Sequence, residues 1–334
     1  MNKTHAVITG IGAYVPKYRL TNAELSTMVD TSDEWIIKRI GIRERRILKP
    51  EEGSGVSYLA LKAIEDLKSK RDFNPFEIEA VIFATTTPDY VFPNTAALVA
   101  AQTGMTKAFC FDLEAACSGF LYGLEVGNSF IASGKYRKIM VIAGDVLSAV
   151  ADYQDRNTCP LFGDGCGCVL LEATTEDVGI MDSILRSDGS HPEILHMYGG
   201  GSKNPASYET VDQRLHYIWQ DGKIVFKYAV ANMVATCQEV LERNNITTDD
   251  LAWVVPHQAN KRIIDAVAGY VDIPREKVMT NIEKYGNTSA GTIPLCLWEW
   301  EPQLKKGDKI ILTAFGGGFT WGAIYLIWGY PPAP

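Results

Sequence analysis

The stretch Phe109-Cys110-Phe111-Asp112-Leu113-Glu114-Ala115-Ala116-Cys117-Ser118-Gly119-Phe120 decides how this chain is read. An apolar run ends, small residues follow and a helix is expected to begin, so Cys117 stands at a junction between strand and helix. Unpaired N–H groups and the positive end of the helix dipole favour an anion there, and the thiolate is the reactive form of cysteine. Ser118 and Gly119 keep the approach open. On both sides of this junction, short apolar β-branched runs alternate with helical stretches, which predicts an α/β architecture. The expected strands include residues 80–84, 138–143, 168–171, 253–255, 309–313 and 322–328. Residues 187–223 differ. They are rich in Gly, Ser, His, Pro and Tyr with little periodicity, and a long excursion of that kind reads as a cap over a site.

The two halves of the chain repeat each other weakly but in order. Ala-Val-Ile-Phe-Ala around Val81 matches Ala-Trp-Val-Val-Pro around Trp253, and Lys138-Ile-Met-Val matches Lys309-Ile-Ile-Leu at almost the same offset. Phe162-Gly-Asp-Gly echoes Phe315-Gly-Gly-Gly at a shorter offset, as expected if the first half carries an insertion ahead of it. Duplication and fusion follow, with residues 1–175 and 176–334 as two halves of one integrated unit. The register of the strands sets Asn287 opposite Cys117.

Composition sets the outer limits. The 334 residues are 46% hydrophobic and 22% charged with a net charge of −8, enough for a large core and unsuited to nucleic acid. No run of about 18 apolar residues occurs and Met1-Asn2-Lys3-Thr4-His5 lacks a signal peptide's apolar stretch. A cytoplasmic protein without stable membrane association is expected. The seven cysteines, with Cys166 and Cys168 as a Cys-Gly-Cys and no C-x-x-C, imply reduced thiols and no zinc. His191 and His196 lack carboxylate support for a metal, and Gly10-Ile11-Gly12 lacks the third glycine of a dinucleotide fingerprint.

Two further residues complete a candidate set: His257 in Val255-Pro256-His257-Gln258-Ala259-Asn260, and Asn287 in Tyr285-Gly286-Asn287-Thr288-Ser289-Ala290-Gly291-Thr292. Taken singly, a core histidine and a helix cap account for them. Together with Cys117 they supply a nucleophile and two hydrogen-bond donors for a developing oxyanion.

The chain resembles β-ketoacyl-acyl-carrier-protein synthase III from end to end. The matching motifs are Thr31-Ser32-Asp33-Glu34-Trp35-Ile36, Gly41-Ile42-Arg43-Glu44-Arg45, Ala115-Ala116-Cys117-Ser118-Gly119-Phe120, Phe162-Gly163-Asp164-Gly165, His257-Gln258-Ala259-Asn260, Gly286-Asn287-Thr288-Ser289-Ala290-Gly291 and Phe315-Gly316-Gly317-Gly318-Phe319-Thr320-Trp321-Gly322. Asn287 as third catalytic residue separates this type from the Cys-His-His elongating synthases and the Cys-His-Cys thiolases. Enzymes of secondary metabolism on the same scaffold are the alternative reading. A cysteine amidohydrolase or acyltransferase and an inactive dimeric scaffold are more distant ones.

The resemblance implies a thiolase-like fold of five layers, αβαβα, and a homodimer whose active sites each receive a loop from the neighbour. It implies that Cys117 takes an acyl group from acyl-CoA, acetyl-CoA by default, with the N–H groups of Cys117 and Gly317 as oxyanion hole. Malonyl-acyl-carrier-protein then loses CO2, and the enolate is held by His257 and Asn287 without metal or redox cofactor. Trp35 and Arg156 would sandwich the adenine of CoA, with Thr31 and Arg39 nearby and Asn260 on the pantetheine arm. Arg262 and Lys227 would meet the acidic carrier protein, although residues 263–270 add no basic group. Phe92 would close the partner's acyl tunnel.

Overall fold

The structure, a computed structural model, describes residues 3–331. The strands that matter are β1 (His5–Tyr14), β2 (Ala80–Ala84), β3 (Phe109–Leu113), β4 (Lys138–Val146), β5 (Asp164–Thr174), β6 (Gly179–Ser187), β7 (Trp253–Pro256), β8 (Lys309–Gly316) and β9 (Thr320–Ile327). The helices that carry the argument are α1 (Asp33–Ile40), α2 (Gly55–Lys70), α3 (Thr95–Thr103), α4 (Gly119–Ala132), α5 (Gly222–Arg243), α6 (Lys261–Val271) and α7 (Thr292–Trp300). Each of the six expected strands falls on one of these.

Two sheets repeat one plan. The first has the order β1-β5-β4-β2-β3 and the second, written from its outer edge, β6-β9-β8-β7. In the first, β2 runs parallel to β4, β4 antiparallel to β5, and β5 antiparallel to β1. In the second, β7 runs parallel to β8, β8 antiparallel to β9, and β9 antiparallel to β6. Where the first sheet has β3, the second keeps only an isolated parallel bridge between Val254 and Val278. The first half's extra length lies between β4 and β5, residues 147–163, where the second has residues 317–319.

The layers follow from which side chains each element buries. Strand β2 is apolar at every position and buried throughout, as a central parallel strand covered on both faces must be. Its Val81 and Phe83 pack under α2 and α3, and its Ile82 faces α4 and α7. Helices α4 and α7 share a core with Ile310, Leu312 and Ile324 of the second sheet, whose other face carries α5 and α6 around Val254, Ile311 and Tyr325. The sequence of layers is therefore α2/α3, sheet, α4/α7, sheet, α5/α6: the five-layer αβαβα thiolase fold.

Close packing of the middle layer depends on a stripe of glycines four apart on α4. A Cβ at Gly119 would stand 2.9 Å from Ala84 Cβ, one at Gly123 3.0 Å from Val141 Cγ1, and one at Gly127 2.7 Å from Leu171 Cδ1. Larger residues there would lift the helix from the sheet.

The pseudo-twofold registers differently from the sequence-based expectation. The short turns Ala116–Ser118 and Ser289–Gly291 precede α4 and α7, and each opens on a left-handed residue, Ala116 at φ 45° and Ser289 at φ 52°. Matching turn to turn pairs Ala116 with Ser289, so Ala290, and not Asn287, stands opposite Cys117. Across the axis, a Cβ at Gly119 would come within 3.4 Å of Ala290 Cβ. Loops of unequal length precede the two turns, which is why an offset taken from strands misses by three.

Candidate active site

A cleft of about 1240 Å³ runs from the surface to the junction of the two halves, and Cys117, His257 and Asn287 line it together. Cys117 sits in the turn that leads from β3 into α4. The left-handed Ala116 swings the thiol toward the cleft, and Thr320 stitches the turn to the β8–β9 hairpin: its hydroxyl donates to Ala115 O at 2.8 Å, and its carbonyl accepts from Ser118 Oγ at 3.0 Å. At the end of β8, a Cβ on Gly316 would stand 2.6 Å from Cys117 N, so glycine is what allows the strand to reach the turn. Gly317 lines the cleft directly beyond it.

The surroundings of the Cys117 sulfur weigh toward the thiol. Burial pushes its pKa up to about 12 against hydrogen bonds from the Ser289 hydroxyl and its own backbone N–H, and the charge of Asp145 adds to the rise.

His257 follows β7 and is 2% exposed. Its backbone N–H donates to Thr313 O at 2.8 Å, and its Nδ1 lies 2.7 Å from the Thr292 hydroxyl at the start of α7. Burial lowers its pKa to about 3, so the ring is neutral at physiological pH. Nδ1 is taken, and Nε2 is the nitrogen left for the cleft. Asn287 is fixed in the same way. Its backbone pairs with the chain around Phe162, N–H to Leu161 O at 2.8 Å and C=O from Gly163 N at 3.0 Å. Its Oδ1 accepts from Ser289 N at 2.8 Å, which leaves the amide Nδ2 as the group with no partner among the described residues.

Of the other sequence-predicted residues, Trp35 and Arg39 of α1, Asn260, the N-cap of α6, and Arg262 line the cleft, and Thr31, Arg156, Lys227 and Phe92 lie outside its lining. The Arg156 guanidinium lies over the Trp35 ring at 5.3 Å and is paired with Asp30 at 2.9 Å. Thr31 lies outside the lining residues, with its hydroxyl buried and without a partner among the described residues. Arg262 stacks over Phe226 at 5.3 Å, one residue from the exposed Lys227 of the neighbouring helix α5. Arg39, Lys227 and Arg262 make no ion pair among the described residues, unlike Lys261, which Asp265 holds at 2.8 Å. Phe92 stands away from this cleft, 83% exposed beside Val91 at 91%.

The segment expected as a cap supplies much of the opposite wall. Leu195–His196 pairs with Trp219–Gln220, His196 stacks between Tyr198 and Trp219, and Arg214 is ion-paired with Asp152. Sequence reading missed the parts played by Thr292, which holds His257, by Ser289, whose N–H holds Asn287, and by Asp145, whose buried charge acts on Cys117. Ser289 and Thr292 lay inside the motif quoted for Asn287, whereas Asp145 comes from the end of a distant strand and carries no local signal.

Two family models match the chain: 3-oxoacyl-[acyl-carrier-protein (ACP)] synthase III over residues 111–189, and its C-terminal counterpart over residues 241–328. The β-ketoacyl-[acyl-carrier-protein] synthase III of Azobacteroides pseudotrichonymphae is 69% identical over 330 residues, 99% of either chain. The synthase III 1 of Bacteroides thetaiotaomicron is 57% identical, again over 99% of both. The crystal structure of 3-oxoacyl-[acyl-carrier-protein] synthase III from Aquifex aeolicus VF5 superposes with a TM-score of 0.89 at 43% identity, covering 97% of this chain and 100% of that one. With Cys117, His257 and Asn287 on one cleft floor inside a thiolase fold, the chain belongs to the β-ketoacyl-acyl-carrier-protein synthase III family, the condensing enzymes that initiate fatty acid synthesis.

Proposed function

We propose that Cys117, His257 and Asn287 divide the family's condensation into acyl transfer and decarboxylation. Cys117 attacks the thioester carbon of an acyl-CoA, acetyl-CoA by default. The oxyanion accepts hydrogen bonds from the N–H groups of Cys117 and Gly317, CoA leaves as its thiol, and the acyl group stays on the sulfur. Malonyl-acyl-carrier-protein then enters and loses CO2. The electron pair released from the C–C bond forms an enolate, whose oxygen is held by two neutral donors, His257 Nε2–H and Asn287 Nδ2–H. The enolate carbon attacks the waiting acyl carbon, Cys117 is expelled and regains a proton, and a β-ketoacyl-carrier-protein is released. Protein groups serve every step, so the chemistry calls for no metal or redox cofactor.

One observation carries this reading. Nδ1 of His257 is engaged by the Thr292 hydroxyl and the acceptor Oδ1 of Asn287 by Ser289 N–H, so Nε2 of the one and Nδ2 of the other are left for the same cleft. A Thr292 hydroxyl that donates to Nδ1 keeps the ring proton on Nε2.

The rim suits the substrates. Arg39 would meet the nucleotide phosphates of CoA, Trp35 and Arg156 its adenine with Thr31 close by, and Asn260 the pantetheine arm. Arg262 and Lys227, unpaired cations on adjacent helices, would receive the acidic carrier protein. The halves 1–175 and 176–334 would act as one unit within a cytoplasmic homodimer, in which the exposed Phe92 closes the partner's tunnel. Incubation with acetyl-CoA and malonyl-acyl-carrier-protein tests the reading: CO2 and acetoacetyl-carrier-protein are expected, with an acetyl adduct on the wild type that Cys117→Ala abolishes. Thioester hydrolysis without a new carbon–carbon bond would overturn it.

A further inference from the structure

Gln258 stands beside His257 in the His257-Gln258-Ala259-Asn260 motif, and no step of the condensation uses it. It is 0% exposed. A buried amide is costly unless it is hydrogen-bonded, and both amide hydrogens and the oxygen of Gln258 are engaged. What they engage follows from a gap in the sheet. Alternate residues of a parallel strand address the neighbours on its two sides. Along β7, His257 N–H donates to Thr313 O of β8 at 2.8 Å, and on the other edge Val254 O accepts from Met279 N at 3.0 Å. The next rung on that edge calls for an N–H at residue 256, directed to Met279 O, and proline has none. The Gln258 carboxamide fills the place. Its Nε2 donates to Met279 O at 3.3 Å and to Pro256 O at 2.6 Å, and its Oε1 accepts from Asn281 N at 3.0 Å.

The bridged segment leads directly to Asn287. Asn281 O accepts from Lys284 N at 3.0 Å and Tyr285 N at 3.3 Å, which opens the short helix Ile282–Tyr285, and Gly286 and Asn287 follow. Asn281 is also held from α7, where Cys296 Sγ donates to its Oδ1 at 3.1 Å. Pro256 and Gln258 flank His257, so a single amide ties the backbone around the histidine to the segment that carries the asparagine. We infer that Gln258 is a positioning residue for decarboxylation, an amide spacer that sets the separation of His257 and Asn287 so that both donors meet one enolate oxygen. The inference rests on the roles proposed for those two residues. Backbone rungs from residue 256 would draw the segment against β7, and the amide holds it further out; a shift of about 1 Å at reacting groups is enough to cost on the order of 10²-fold in rate. Cys117 is held by the turn ahead of α4 and by Thr320, elements outside this bridge.

Rapid-quench intact-mass analysis of the full-length enzyme separates the half-reactions: acetylation by acetyl-CoA first, then condensation of the preloaded enzyme with malonyl-acyl-carrier-protein. Gln258→Met keeps the length of the side chain and removes its three bonds. Condensation should fall on the order of 10- to 100-fold while acetylation stays within about twofold. In an Asn287→Ala background the same substitution should cost less than about threefold more, because no second donor is left to align. The double variant Pro256→Ala/Gln258→Ala covers a Gln258→Met protein that does not fold. It returns an N–H to residue 256, so the thermal midpoint should recover as backbone rungs form, while condensation stays at least about tenfold low because the spacing has changed. A folded Gln258→Met enzyme with wild-type condensation would overturn the inference. So would equal losses in both half-reactions, full additivity with Asn287→Ala, or condensation restored in the double variant, each of which marks a structural role. If Asn287→Ala loses both half-reactions alike, the underlying division of roles falls, and the inference with it.

Discussion

The turn Ala116–Ser118 in the first half and the turn Ser289–Gly291 in the second each open on a left-handed residue, and each feeds a helix buried between the two sheets. Only the first presents a nucleophile; where it has Cys117 the second has Ala290, and its polar groups have moved to Asn287, Ser289 and Thr292. Duplication therefore supplied two facing copies of one backbone device, and the chemistry divided between them. In the first half burial raises the Cys117 thiol; in the second it keeps His257 neutral. The same desolvation acts on both sides, and under the proposed division of roles the sign of its usefulness differs, because one group would lose a proton and the other would keep it in place.

The largest expected effect tests the division itself. Asn287→Ala should keep CoA-dependent acylation of Cys117 and lose condensation by about 10²-fold or more, the scale of one oxyanion donor. Single-turnover measurement of each half-reaction checks it, and equal losses would erase the contrast between the turns. Next comes the neutral state of His257. Its pKa of about 3 in the fold lies below the 6.5 of the unfolded chain, so its contribution to stability is complete above pH 6.5 and is lost as pH falls toward 3. At pH 5 the loss is about 2 kcal/mol. Denaturant midpoints at pH 7.5 and 5, at one protein concentration, should fall further for wild type than for His257→Asn. The difference between the two removes Asp164, whose pKa of about 6, raised by burial, acts with the opposite sign. Identical pH dependence in both proteins would mean that the ring is not buried in its neutral form.

The smallest effect concerns the first half's exposed loop. Phe92→Ala, assayed as a dimer, should favour longer acyl-CoAs over acetyl-CoA by a few-fold to about tenfold, the worth of a methylene or two in an apolar pocket. Competition between straight and branched primers measures this, and an unchanged profile would move chain-length control to the cap wall around His196 and Trp219.

Legibility in the sequence follows the same division between floor and surroundings. The strands declared themselves because buried parallel strands such as Ala80–Ala84 are apolar at every position. Cys117, His257 and Asn287 were readable because each stands at a junction marked by small residues, and the end-to-end resemblance joined them. Their supports were not. Thr292 is far from His257 along the chain and reaches it only through folding, and Asp145 reads as one more residue at the end of a strand. The pseudo-twofold register slipped because loop lengths differ between halves, and strand spacing carries no memory of where an insertion was absorbed.

The contact between Arg156 and Trp35 has a consequence for affinity. Holding a flat ring between them takes roughly 7 Å, two van der Waals contacts of about 3.5 Å, and the guanidinium, ion-paired with the exposed Asp30, already rests 5.3 Å from the indole. The protein is thus its own first ligand at this slot. On the proposed reading an incoming adenine would compete with an internal tenant, and its binding constant would be the intrinsic one scaled by the fraction of molecules in which Arg156 has swung clear.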